Sequence, residues 1–263
     1  MSRTYAVTGV ASGIGAELAR ILKERGHQVV GFDLRETSVN VDQFIQIDMN
    51  DADAIAQAAA SVDTPLDGLC NNAGLPPRDG WEEMILQVNF LAPRAFTAAM
   101  LPHLKEGAAI VNMASRAGQF WAQNLDQIKR LGALRSRDQL PDFVAAEGLD
   151  PTACYNLSKE AIIVWTMAEA ERMTAAGLRM NSLSPAAVAT GILDDFKRAF
   201  GDKVARNVAR AGRPGKPEEI AEIAAFYLSP ESWWVKGADI WIDGGMAAFA
   251  ATDAMGTAGM RLD

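Results

Sequence analysis

The chain has 263 residues, 49% of them hydrophobic and 22% charged, with a formal charge of −8. That length suits one large domain or two small ones around a substantial core, and the acidic balance argues against nucleic acid or an anionic membrane as the main partner. Cys70 and Cys154 are the only cysteines, and His27 and His103 the only histidines. This points to a reducing compartment without a disulfide framework and is too sparse for a His-rich metal site, so no metal is expected. No uninterrupted apolar run approaches the roughly 20 residues of a membrane span. The N-terminus has no basic region followed by an apolar core, so no signal peptide is expected and the expected setting is cytoplasmic.

Tyr5-Ala6-Val7 reads as a short buried strand that runs into Thr8-Gly9-Val10-Ala11-Ser12-Gly13-Ile14-Gly15. The apolar period then changes, with Ile14, Leu18, Ile21 and Leu22 on one helical face until Gly26 and His27. Gln28 to Phe32 reads as a second strand ending at Asp33. Strand, glycine-rich turn, helix, strand is a cradle for a pyrophosphate, because the backbone can approach closely and the helix amides face the charge. The spacing Gly9-x3-Gly13-x-Gly15 also suits a plain tight turn. Asp33, 18 residues after Gly15, favours the ligand reading: a carboxylate there accepts from an adenosine ribose and repels a 2′-phosphate, which favours NAD over NADP. Arg35 stands close by and pulls the other way.

Phe44 to Asp48 reads as a third strand, with Asp48 placed to meet an adenine edge. Asp51 to Ala60 reads as a helix capped by Asn50 or Asp51. Leu66 to Cys70 reads as a fourth strand, followed by Asn71-Asn72-Ala73-Gly74, small residues that let the backbone pass near a cofactor. Trp81 to Met100 predicts one long helix with Val88, Leu91, Ala95 and Ala98 inward. Ala108 to Met113 predicts the fifth strand, with Ser115 after it.

Tyr155 and Lys159 lie four apart, so a helix puts phenol and ammonium on one face. A cation beside a phenol favours the phenolate and makes Tyr155 a candidate base; the same spacing also suits a half-buried ring beside a snorkelling lysine. The helix continues through Ala161, Ile162, Trp165 and Ala168 to Gly177. Met180 to Ser184 predicts a sixth strand ending at Pro185. Ile192 to Arg213 is amphipathic and reads as a mobile lid bearing Phe196 and Phe200. A helix starts at Pro217, and Ala238 to Ile242 is the seventh strand. Met246 to Asp263 is a tail that is either loose or laid on a partner subunit.

In their order, Thr8-Gly9-x3-Gly13-Ile14-Gly15, Asn71-Asn72-Ala73-Gly74, Asn89, Ser115, Tyr155-x3-Lys159, Ser184-Pro185 with Thr190, and Asp243-Gly244-Gly245 resemble the short-chain dehydrogenase/reductases over residues 4 to 245. The resemblance implies an α/β fold: one Rossmann-like three-layer domain over 1–263 with a seven-stranded parallel sheet. It implies a catalytic set of Asn89, Ser115, Tyr155 and Lys159, with Asn89 holding a relay water and Ser115 the substrate oxygen. It implies NAD contacts at Gly9, Ser12, Gly13, Ile14, Gly15, Asp33, Leu34, Asp48, Met49, Asn72, Ala73, Gly74, Tyr155, Lys159, Pro185, Val188 and Thr190. Pro185-Ala186 departs from the usual Pro-Gly. A scaffold or sensor without chemistry keeps the fold but has little need of all four catalytic residues.

Ser115 and Tyr155 stand 40 residues apart, against roughly a dozen in most of the family, about one short loop. A helical insertion is therefore expected within about 119–151, where Leu125, Ile128, Leu131 and Leu134 recur and Phe143 to Ala146 begin a second run. The segment before Asn89 is short. Both features resemble the branch containing bacterial 3α-hydroxysteroid dehydrogenase/carbonyl reductase and coniferyl alcohol dehydrogenase. The implied activity is interconversion of an alcohol and its carbonyl with NAD(H), the substrate apolar, a hydroxysteroid or aryl alcohol. Trp121, Phe196, Phe200 and Trp234 are candidate substrate contacts. The family implies self-association as a homodimer or homotetramer.

Overall fold

In the computed structural model, which describes residues 2–260, strand β1 (Thr4–Thr8) is buried along its whole length. It pairs on one side with β2 (Gln28–Asp33) and on the other with β4 (Leu66–Asn71). β3 (Gln43–Gln46), β5 (Leu104–Met113), β6 (Arg179–Pro185) and β7 (Asp239–Ile242) complete seven parallel strands in the order β3-β2-β1-β4-β5-β6-β7. Apolar runs such as Tyr5-Ala6-Val7 are what parallel strands covered on both faces require.

One face carries α1 (Gly13–Glu24) and α10 (Pro217–Leu228), whose Leu18, Leu22, Ile220 and Ala224 are fully buried with Tyr5 and Val7. The other carries α2 (Ala52–Ala60), α4 (Ala92–Met100) and α7 (Pro151–Ala175), with Phe32, Phe96 and Met100 at the centre. Asp51 caps α2 by accepting from the Asp53 and Ala54 amides, as its position predicts.

The long helix predicted from Trp81 to Met100 is interrupted. α3 (Glu82–Leu86) passes through a π-turn, Gln87–Leu91, into α4. The extra residue of a π-turn advances the following face by about 100°. Ala95 and Ala98, expected inward, are exposed, and Phe96, Thr97 and Met100 are buried instead. By length and hydropathy Glu82–His103 could cross a membrane, but 61% of its most apolar window is buried inside the fold, as suits a core helix.

Two helices lie within the 119–151 segment: α5 (Leu125–Ala133) and α6 (Leu140–Glu147). Ile128, Leu131, Leu140 and Phe143 share a core with Tyr155 and Ile162 of α7. Asn124 donates from the start of α5 to both oxygens of Glu160, which is buried on α7. The segment expected to be a single lid is two helices, α8 (Leu193–Phe200) and α9 (Asp202–Ala211), broken at Gly201 with φ +54°. The tail forms α11 (Met246–Met255), tied to α9 by Arg210 and Asp253 at 2.6 Å; residues 261–263 of the tail lie outside the described residues.

Candidate active site

Strand order reverses beside β1, where β2 lies on one side and β4 on the other. In open parallel sheets such a reversal marks the ligand side at the carboxyl ends of the strands, and the loops the sequence singled out leave the sheet at that end. Between β1 and α1, Gly9 (φ +71°) and Gly13 (φ +57°) take backbone forms that L side chains rarely adopt. A Cβ on Gly9 would stand 2.8 Å from the Asn72 amide nitrogen, so the first turn and the Asn71–Gly74 turn lie directly against each other. Asn72 reinforces this approach by donating to the Thr8 carbonyl at 3.0 Å. Thr8 in turn accepts at its hydroxyl from the Asn72 and Ala73 amides.

Ser12 is the N-cap of α1 yet makes no side-chain cap bond, and the first turn holds no acidic residue. The first-turn amides of Gly13, Ile14 and Gly15 therefore suit an anionic oxygen. Asp33 accepts from the Ala11 amide at 2.9 Å and the Arg35 amide at 2.9 Å, which fixes its carboxylate at the mouth of the cradle. Arg35 reaches back to donate to Ser12 Oγ at 2.7 Å. Leu34 beside it is 59% exposed, a face on which a planar base can lie. Asp48 is exposed and Met49 buried at the next loop. In the loop after β6 Val188 bridges to Gly215, and the Thr190 methyl carbon stands 3.4 Å from where a Cβ on Gly13 would be. Pro185 ends β6 just before this loop. The loops thus set the first-turn amides and the Asp33 carboxylate side by side, a donor and acceptor set that fits a dinucleotide.

The candidate reacting groups meet at the end of β5. Ser115 opens a 3-10 turn, Arg116–Phe120, and accepts from the Ala117 amide at 3.1 Å. Gly118 lets that turn lie on α7: a Cβ there would come within 2.9 Å of the Lys159 carbonyl. The Ser115 side chain thereby comes close enough to the Tyr155 phenol to act on its titration. Lys159 is buried one turn further on, and its Nζ donates to the Met113 carbonyl at 2.9 Å and stands 5.7 Å from the Tyr155 ring centre. Burial pushes the phenol up to about 12, opposed by Ser115, and pushes the Lys159 ammonium down to about 8. Desolvation thus outweighs the acidifying effect of Lys159 that the spacing suggests.

Asn89 sits in the π-turn and spends its side chain on structure. It accepts from the Leu75 amide at 2.7 Å, donates to the Leu75 carbonyl at 3.0 Å and to Ser158 Oγ at 3.3 Å. Ser158 donates to the Tyr155 carbonyl at 2.7 Å. The Asn89 side chain is thereby taken up as a brace between the β4 loop and the Tyr155 helix, which leaves it neither amide hydrogen for a relay water.

Phe196 and Phe200 of α8 lie edge-on to the Tyr155 ring, with centres 5.2 and 6.3 Å away. Trp121 is partly buried in the same cluster. Trp234 is not part of it. It is 90% exposed and precedes β7, so it lies at the amino end of a parallel sheet, away from the carboxyl ends of the strands. Among the ion pairs that sequence reasoning missed because their partners are separated in the chain are Arg78 with Asp195, Arg116 with Asp243, and Arg130 with Glu147. Only folding brings them together; charge pattern along the chain carries no sign of them.

A family model described as short chain dehydrogenase matches residues 3–125, and one described as enoyl-(acyl carrier protein) reductase matches 142–247. Coniferyl-alcohol dehydrogenase of Pseudomonas sp. (strain HR199 / DSM 7063) is 34% identical over 249 residues, covering 94% of this chain and 97% of that one. The 3-alpha-hydroxysteroid dehydrogenase/carbonyl reductase of Comamonas testosteroni is 32% identical, covering 92% and 95%. Among solved structures, the 3-alpha-hydroxysteroid dehydrogenase of Pseudomonas sp. B-0831 complexed with NADH superposes with a TM-score of 0.82 at 27% identity, covering 94% and 98%.

Proposed function

The chain belongs to the short-chain dehydrogenase/reductase family, and from that premise we propose that it interconverts an apolar alcohol and its carbonyl with NAD(H). The observation that carries this reading is the meeting of Ser115, Tyr155 and Lys159 on the same side of the sheet as the glycine-rich turn. NAD, when bound, supplies the hydride acceptor and its reduced form the donor. The protein supplies position and the proton. Gly13, Ile14 and Gly15 amides hold phosphate oxygens, and Asp33 holds the adenosine ribose and discriminates against a 2′-phosphate. Ser115 fixes the substrate oxygen against Tyr155. The phenol, protonated at neutral pH, gives its proton to a carbonyl oxygen as that oxygen gains charge. In oxidation the phenol first gives up its proton to solvent, and the resulting phenolate takes up the proton of the alcohol. Lys159 puts a positive charge next to this exchange and favours the phenolate that forms.

Phe196, Phe200 and Trp121 favour a flat apolar substrate, a hydroxysteroid or an aryl alcohol; the names of the two relatives point the same way. In this reading the enzyme is cytoplasmic and self-associates as a homodimer or homotetramer; Trp241, 53% exposed on the edge strand β7, supports the latter. A panel of hydroxysteroids and aryl alcohols with NAD, followed at 340 nm, tests the activity. Reduction of NAD by at least one member is expected. A protein that binds NADH yet turns over none would be a dinucleotide-binding scaffold instead.

A further inference from the structure

Helix α8 is held over the site in an unusual way: among its described residues the one fully buried side chain is a carboxylate, Asp195, 4% exposed. Arg78, from the loop after β4, grips it with two bonds, Nε to Oδ1 at 3.2 Å and Nη2 to Oδ2 at 2.7 Å. Arg198, one turn along α8, pairs with the same carboxylate. Arg78 also lies over Trp81, 4.6 Å from its ring centre, so its own position is fixed. Asp195 is followed directly by Phe196, and Phe196 and Phe200 cover Tyr155. Glycines flank the helix, Gly191 and Gly201, with nothing packed within 4 Å of where a Cβ would stand, and glycine backbone turns at low steric cost. A cleft of about 360 Å³ lies between Arg78, Arg198 and the start of α7, leaving open space beside the grip.

We propose that Arg78 and Asp195 form a latch that holds Phe196 and Phe200 in the space where a substrate ring must lie against Tyr155, so that the latch sets the substrate KM. This rests on the functional reading above. The latched state excludes substrate, and the apparent affinity is reduced by the fraction of molecules that are open. Arg78 is accordingly a positioning residue that acts through the lid. It differs from a substrate-binding arginine in the sign of its effect: truncating the latter raises KM, and truncating a latch lowers it.

The test compares Arg78→Met, Arg78→Lys and a control, Lys197→Met, which removes an exposed pair on the same helix. Hydrogen exchange of residues 193–200 in the protein alone is expected to rise about fivefold in Arg78→Met, equivalent to about 1 kcal/mol of a part-exposed ion pair. Arg78→Lys should fall between, and Lys197→Met should leave exchange unchanged. With whichever panel alcohol is oxidised, KM should drop by a similar factor without loss of kcat, and NADH affinity should stay the same. Unchanged exchange in Arg78→Met, or a raised KM, overturns the latch. Should Arg78→Met fail to fold, the Arg78→Lys exchange decides alone. If no alcohol is oxidised, the functional reading fails while the exchange result still judges the latch.

Discussion

From Thr8 to Gly74 the site is held by backbone; from α8 to α11 it is held by side chains. On the cofactor side, strand ends, glycine turns and amide bonds lock one loop to the next, and Thr8, Asn72 and Asp33 each bond main-chain groups. On the substrate side α9 buries no residue among those described, and α8 buries only a carboxylate. Those helices depend on pairs such as Arg78 with Asp195 and Arg210 with Asp253, and on two phenylalanine rings. Breaking several backbone hydrogen bonds at once costs more than breaking one part-exposed ion pair. The difference suits a dinucleotide cradle that stays in shape and a substrate cover that gives way. Tyr155 lies on the seam between the two.

The sharpest way to break that division is at the seam. Tyr155→Phe removes the transferable proton and leaves the ring that packs on Phe196. Turnover is expected to fall about a thousandfold, with NADH affinity within about twofold, measured by stopped-flow absorbance and NADH fluorescence. More than a few per cent residual activity would remove Tyr155 from the chemistry. On the cofactor side, Asp33→Ala withdraws the carboxylate from the ribose and leaves Arg35 in place. NADP should then be accepted about tenfold better relative to NAD, the worth of one charge-assisted hydrogen bond. An unchanged preference in steady-state kinetics would count against Asp33 as the discriminator.

Smaller effects concern the seam's own stability. Lys159 is buried, and its folded-state ammonium titrates near about 8, below its ordinary 10.5. Between those values the unfolded chain binds more protons than the folded one, so this group makes the fold more stable as pH rises from 8 to 10.5. Below pH 8 it is a buried charge and a cost. Lys159→Met should therefore abolish turnover yet raise the unfolding midpoint at pH 7, by about 2–4 °C per kcal/mol recovered, and the advantage should shrink across pH 8 to 10.5. A mutant less stable at pH 7 by calorimetry would show that the bond to the Met113 carbonyl outweighs the burial cost. The phenol should behave in the opposite sense. Absorbance at 295 nm should place one tyrosine near about 12 in the free protein. Titration of Tyr155 at or below its ordinary value of 10 would mean that Lys159 already prevails without a dinucleotide.

How much of this was legible differs between the two sides. The seven strands, the glycine turn and the place of Asp33 follow from period and small residues, because parallel strands and tight βα turns are local demands on the chain. Ser115, Tyr155 and Lys159 are legible as a set through family spacing, but their meeting depends on Gly118 letting one turn rest on α7. The long helix was legible in extent and wrong in face: a single extra residue in the π-turn rotated Ala95 and Ala98 outward. Trp234 looked like a substrate contact by composition, and its place before β7 puts it at the other end of the sheet.

By itself the order of residues determined the strands, the glycine-rich turn and the candidate reacting groups, since each rests on neighbours within one turn or one crossover. Tertiary structure alone decided the protonation balance of Tyr155 and Lys159, the bracing role of the Asn89 side chain and the pairing of Arg78 with Asp195. Those depend on desolvation and on the meeting of residues up to 117 positions apart, and neither is written in local sequence.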